Sequence, residues 1–174
     1  MRKGFGLIEQ IIALLVLAML IATAVPALRG MLAGHELRTA QMEYIAALQH
    51  ARNLAVMEQV RIIFCPSRDA HTCNGDNHWR DGWLIGRDLD RQQQSSGPPL
   101  YVGGKYSDAI HVVGSQKKYF LFKPDGSSAN SMQSLVFCTR EQPPRVRVLR
   151  VAREGRIRAA PPEAADVAQC AAND

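Results

Sequence analysis

Apolar residues run from Ile11 to Leu28 without a single charge, and the uncharged, mostly apolar character reaches back to Phe5 with Glu9 as its one interruption. That stretch is close to the ~20 residues a helix needs to cross a bilayer core of ~30 Å. The pattern then changes without stopping. Leu37, Ala40, Tyr44, Ala47, Leu48, Ala51, Leu54 and Ala55 recur at spacings of three and four, with Glu36, Glu43, Arg52 and Asn53 off the stripe. One helix from about Phe5 to about Gln59 follows, lipid-facing in its first half and amphipathic in its second. Pro26 is expected to kink it, because proline removes a backbone donor.

Past Gln59 the period shortens to that of strands. Val60–Cys65, Trp83–Gly86, Leu100–Val102, Ile110–Val113, Tyr119–Phe122, Ser134–Cys138, Arg145–Val151 and Arg156–Ala159 are short segments rich in β-branched and aromatic residues. Turn residues separate them, including Pro124-Asp125-Gly126 and Glu154-Gly155. The polar run from Asp88 to Pro99 reads as a surface loop. A long helix followed by antiparallel strands is an α+β architecture. No internal repeat is visible.

The start of the chain admits three readings. Arg2 and Lys3, an apolar core and Ala22-Thr23-Ala24 suit a cleaved secretory signal. A simple membrane anchor is the second, and cleavage after Gly4 with retention of the helix is the third. The helical stripe that continues past residue 24 argues against the first. Glu9 bears on the choice as well. An ionisable side chain inside a membrane helix costs about 2.5–3.5 kcal/mol on insertion scales and marks a functional position.

Gly4-Phe5, Glu9, the apolar run and Pro26 resemble the class III signal of type IV pilins and type II secretion pseudopilins. Gly6 and Gln10 depart from the commoner Thr and Leu of that pattern, and neither touches the cleavage site. The resemblance implies that a prepilin peptidase cuts between Gly4 and Phe5 and that Phe5 is N-methylated. It divides the chain into a leader (1–4), a membrane-spanning half-helix (5–28) and a globular part (29–174) that retains the rest of the helix. It also gives Glu9 a partner. The new amine on Phe5 lies one helical turn away, in the same chain or in a neighbouring subunit. Leaving one member of such a buried pair alone costs about 3–5 kcal/mol, so Glu9 acts as a register device in assembly.

The later motifs narrow the family. Phe64-Cys65-Pro66, Cys73, Asp81-Gly82-Trp83-Leu84-Ile85, Asp88, Phe122-Lys123-Pro124-Asp125-Gly126 and Gly155-Arg156-Ile157-Arg158 resemble the GspH/FimT branch. The branch implies a pilin fold, with a long helix packed on antiparallel β-sheets. It implies other pilins or pseudopilins as filament partners. It also implies an inner-membrane anchor, with the globular part periplasmic and then extracellular after assembly in a pilus. FimT-type proteins carry a Gly-Arg-x-Arg element tied to DNA binding in natural transformation, and residues 155–158 match it.

Four cysteines allow three pairings. The pairing favoured here is Cys65–Cys73, which closes a short loop, with Cys138–Cys170, which ties down an Ala-rich tail from Pro161 to Asp174. Outside the inner membrane such bonds persist. The rival reading is a zinc site from Cys65, His71, Cys73 and His78. Its spacing is irregular and lacks a Cys-x-x-Cys knuckle, so no metal is expected.

Only the distribution of charge along the chain is informative. The chain carries +5 overall. Residues 29–174 hold 19 basic and 15 acidic residues, or +4. Segment 145–158 alone holds six arginines (Arg145, Arg147, Arg150, Arg153, Arg156, Arg158) and Glu154, or +5, so the rest of the globular part sums to −1. Alternation sets Arg145 and Arg147 on one side of a strand, with a bulge or strand end expected at Leu149-Arg150. Arg156 and Arg158 share a face, and a tight turn is expected to bring the two rows side by side. Guanidinium forks match phosphate oxygens, and without interleaved aromatics a row of them reads backbone rather than base. Lys117 and Lys118 are candidates to extend the patch. The competing structural reading is a strand charged to block edge pairing.

The functional expectation is a DNA-binding minor pilin that serves uptake in natural transformation. Its alternative is a minor pilin or type II secretion pseudopilin that acts in filament assembly without nucleic acid. No phosphate loop, nucleophile elbow or metal motif occurs, and His35, His50, His71, His78 and His111 form no evident triad, so neither an enzyme nor a cofactor is expected.

Overall fold

The computed structural model describes residues 6–114, 117–130 and 132–172. Gly4 and Phe5, the expected cleavage site, lie outside them. Helix α1 (Leu7–Glu58) runs for 52 residues, about 78 Å at the usual rise. It is continuous through Pro26, where the carbonyl of residue 22 loses its helical donor. Its first half presents Leu7, Ile8, Leu14, Met19 and Leu20 to the surroundings, and its apolar window is entirely unburied. From Ala33 onward the stripe of small and apolar residues is buried against the rest of the chain.

Among the described residues, eight strands form two antiparallel sheets. β1 (Ile62–Pro66), β2 (Trp83–Arg87), β3 (Tyr101–Gly103) and β5 (Phe120–Phe122) make one, in the order β3-β2-β1-β5. β4 (Ile110–Gly114), β6 (Gln133–Thr139), β7 (Val146–Val151) and β8 (Ile157–Ala160) make the other, in the order β4-β6-β7-β8. Both sheets contribute to one core with α1. Tyr44 sits at its centre, with edge-on rings from Phe64, Trp79 and Phe137 at centroid distances of 5.4–6.2 Å. Its hydroxyl donates to the Trp79 carbonyl, so the one polar atom of a fully buried ring is satisfied. Burial pushes the Tyr44 hydroxyl pKa well above its ordinary value.

Polar residues beside the stripe hold the helix to the sheets. Glu36 accepts from the Ser107 amide at 2.7 Å, and Glu43 accepts from the Tyr106 hydroxyl at 2.7 Å. Glu58 receives two bonds from Arg87, at 2.6 and 2.9 Å, near the end of α1. A second helix, α2 (Ala164–Ala172), occupies what the sequence reads as a tail. The Ala-rich composition of that segment favours helix, and Cys170 fixes it to β6 through a disulfide to Cys138. The other disulfide joins Cys65 and Cys73, whose Cα atoms are 5.5 Å apart.

Candidate nucleic-acid interface

The β7–β8 hairpin carries the arginines, and strand register decides where each one points. β7 pairs with β6 from Val146↔Cys138 to Val151↔Gln133 without interruption, so the bulge expected at Leu149-Arg150 is absent. The Leu149-Arg150 step looks irregular in sequence because both faces of this sheet are covered. Leu149 and Val151 enter the main core against α1, whereas Val148 joins Val136, Cys138 and Cys170 beneath α2.

Two arginine groups follow from this alternation. Arg145 and Arg147 share parity with Leu149 and face α1. The Arg145 guanidinium lies against Gly34, and Arg147 Nη1 donates to Gln41 Oε1 at 3.2 Å. Arg150 points the other way and pairs across strands with Arg158. Arg156, two residues from Arg158, shares that outward face. The expected side-by-side rows therefore do not form, because the sheet separates Arg145 and Arg147 from Arg156 and Arg158. Arg150 is occupied as well. It donates to Glu163 at 2.6 Å and to Asp166 at 3.2 Å, which offsets the like-charge pairing with Arg158. The bond from Arg150 holds the Glu163 carboxyl below its usual pKa.

What remains is the hairpin tip. Gly155 N–H donates to the Ala152 carbonyl at 2.9 Å, and Ala152 N–H donates to the Arg156 carbonyl at 2.9 Å, closing the turn. Gly155 has φ +79°, a left-handed conformation that a side chain disfavours. It is buried directly against the carbonyl of Gly126, and Arg52 Nε donates to that same carbonyl at 2.9 Å. The Ser128 amide donates to the Arg153 carbonyl at 2.9 Å. The tip is thus held between α1 and the β5–β6 loop, and Arg153, Arg156 and Arg158 are exposed on it. Among the described residues these three guanidinium groups enter no ion pair. Lys117 and Lys118 line a separate groove with Gly75, Gln92, Gln93, Gln94 and Tyr119, away from the hairpin.

Three features escaped the sequence reading. Gln41 is buried in the helical stripe and donates to the Val148 carbonyl at 2.8 Å; its spacing of four from Leu37 places it there. The acids Glu163 and Asp166 neutralise Arg150, and no local pattern announces that pairing. Arg52 reaches the hairpin support across 74 residues of sequence. As for metals, Cys65 and Cys73 are bonded to each other and His71 is exposed. The sulfurs of Cys138 and Cys170, close to His111, are likewise joined, so neither set offers free thiolates.

The sequence profile of the family described as Type II transport protein GspH matches residues 40–155. The chain belongs to the GspH family. The matched stretch ends at Gly155, so Arg156 and Arg158 lie beyond it. Two crystal forms of the type IV minor pilin FimU of Pseudomonas aeruginosa (strain PAO1) share this architecture. One is 23% identical with a TM-score of 0.60, over 73% of this chain and 90% of that one. The other is 21% identical with a TM-score of 0.57, over 71% and 92%. The minor pseudopilin EpsH of the Vibrio cholerae type 2 secretion system is 8% identical with a TM-score of 0.49, over 72% and 96%. No curated protein matches the sequence. Family membership makes this chain a relative of type II transport protein GspH, and the likeness to FimU shows that it has the fold of a minor pilin.

Proposed function

We propose that this GspH-family chain is a minor pilin that binds DNA without sequence preference through Arg153, Arg156 and Arg158, and that it serves DNA uptake in natural transformation. The observation that carries the reading is the hairpin tip: three exposed guanidinium groups on a hydrogen-bonded support, with no carboxylate paired to them among the described residues. The proposal includes the processing and topology that go with a pilin. The leader 1–4 is removed, Phe5 is methylated, Glu9 pairs with the amine of Phe5 in its own chain or a neighbour, residues 5–28 span the inner membrane, and residues 29–174 face the periplasm. In a filament the globular part becomes extracellular and packs against other pilins.

The test is a gel shift of the full chain in detergent with a duplex of arbitrary sequence at two or more salt concentrations. Three phosphate contacts give a slope of log K against log salt of roughly −2.7. Arg156→Gln with Arg158→Gln reduces the slope by about 2 and weakens all sequences alike. An unchanged slope in that double variant leaves the arginines as a charged edge. A second reading has its own observation. The matching profile is that of a type II transport protein, which supports a pseudopilin-like assembly subunit with no nucleic-acid role. Absence of any shift for the unaltered chain decides for it.

A further inference from the structure

Strand β4 lies at the edge of its sheet, with β6 on one side only. Register decides which of its backbone groups turn outward. Arg140 N–H donates to the Ala109 carbonyl at 3.0 Å, so residues 109 and 140 form a hydrogen-bonded pair at the end of the ladder. Such pairs alternate along antiparallel strands, which assigns His111↔Cys138 and Val113↔Val136 to the ladder. Ile110, Val112 and Gly114 therefore aim N–H and C=O away from β6. Two of the three are covered locally. Ile110 N–H donates to the Ser107 carbonyl at 3.5 Å. Gly114 exchanges both bonds with the Asn77 side chain, at 3.0 and 3.1 Å, much as a neighbouring strand would.

Val112 stands between these two covers. Among the described residues nothing bonds its outward N–H or C=O. Its side chain belongs to the main core, yet it borders a cavity of about 310 Å³ together with Asn77, His78, Arg80, Asp81 and Arg140. The part of Val112 that meets the cavity is thus its backbone. The residue is only 3% exposed, and a buried peptide group is costly without partners. Charge around the cavity is balanced except at one point. Asp81 receives Arg68 at 3.0 Å and stands 3.5 Å from Arg80, while Arg80 donates to Asp108 at 2.6 Å. Arg140 is exposed and enters no ion pair among the described residues.

A donor and an acceptor on one residue are complemented by an acceptor and a donor side by side. A peptide unit offers both, whereas an ionised phosphate or carboxylate only accepts. We infer that the β4 edge at Val112 receives an extended acidic segment of a partner protein, which joins the sheet as a short added strand and sets a carboxylate against Arg140. From Ile110 to Gly114 the edge runs for about 13 Å, room for roughly three extended residues. Main-chain bonds supply affinity in this mode of recognition, and the neighbouring side chains supply selectivity. The inference is independent of DNA binding, since the arginine hairpin forms the opposite edge of the same sheet, at β8.

The experiment uses the full chain in neutral detergent, isotope-labelled for amide exchange, with an alternating glutamate–valine pentapeptide blocked at both ends. Affinity is read separately from the anisotropy of a fluorescent copy of the peptide. At ten times its Kd the peptide slows exchange of the Val112 amide about tenfold. A fully N-methylated copy, with the same charge and no backbone donors, does not. Arg140→Gln weakens binding roughly two- to fivefold, the scale of an exposed ion pair. Val112→Pro removes an N–H that faces the edge rather than the ladder and weakens binding about fivefold. Where circular dichroism shows that this variant does not fold, Arg140→Gln and the methylated peptide carry the test. Unchanged exchange at Val112, equal binding of the methylated peptide, or slowing at Val102 on the β3 edge in its place each overturns the inference. Displacement of the peptide by inorganic phosphate reassigns the cavity to a free anion, and displacement by a short DNA duplex reassigns it to nucleic acid; either overturns the strand-addition assignment.

Discussion

The two ends of one β-hairpin carry arginines in opposite circumstances. At the base, Arg145 and Arg147 face a helix that emerges from an apolar span, and they border a groove with glycine and proline walls. At the tip, Arg153, Arg156 and Arg158 stand clear of the fold on a turn pinned by Gly155. Between them Arg150 is consumed by two carboxylates of the α2 region. A run of basic residues thus resolves into three fates, set by strand parity and by which helix covers each face. Charge density along a sequence says little about charge density on a surface when both faces of the strand are buried.

The largest effect is expected where the tip meets its support. Gly155→Val forces a β-branched residue into a left-handed conformation and drives its Cβ into the Gly126 carbonyl. The conformational cost is about 1–3 kcal/mol, and overpacking adds about 1–3 kcal/mol. Thermal unfolding followed by circular dichroism should show a midpoint lower by roughly 10 °C. DNA affinity should fall with it. An unchanged melting temperature would mean that the tip is not held by Gly126 and Arg52, and the contrast with the base would lose its structural ground.

A smaller effect comes from the middle of the hairpin. Glu163→Gln with Asp166→Asn keeps hydrogen-bond acceptors beside Arg150 but removes both negative charges. Arg150 shares the outward face with Arg158, so the freed charge joins the tip. The salt slope of DNA binding should steepen by at most about 1. The uncompensated Arg150–Arg158 pair should cost less than about 1 kcal/mol of stability. A slope that stays at the three-contact value would show that α2 screens Arg150 by shape rather than by charge.

How much of this was legible beforehand follows from the range of the forces involved. The helix and all eight strands were readable to within two residues, because period and turn chemistry are local. Val60, for instance, was read into β1, yet the strand starts at Ile62, after Gln59 ends the helix in a left-handed conformation. The parity of Arg156 and Arg158 was legible for the same reason. Their separation from Arg145 and Arg147 was not, since it depends on α1 and α2 covering opposite faces of one sheet. Helix α2 was missed because a nine-residue Ala-rich segment has little stability until a tertiary contact, here Cys170 and Asp166, holds it down. Gly155 was legible as a turn residue, but its contact with Gly126 was not, because no local pattern encodes a loop 29 residues upstream.

The smallest effect separates the middle of the hairpin from both ends by pH. The hydrogen bond from Arg150, reinforced by its charge, lowers the Glu163 pKa from its ordinary value of 4.5. A carboxylate with a depressed folded-state value contributes stability at pH above its unfolded value and loses it as pH falls through the folded one. The docking of α2 onto β7 should therefore be flat from pH 7 to about 5 and weaken below the ordinary carboxylate value. Amide exchange at Val167 and Ala168 reports it, against Gln133 and Leu135 in β6 as an internal reference. In Glu163→Gln the α2 amides exchange faster at neutral pH and lose most of the acid-dependent rise. Glu163 is exposed, so solvent screening keeps the change small. If wild type and variant share one pH profile, the Arg150–Glu163 contact does not hold α2, and Arg150 belongs with the tip after all.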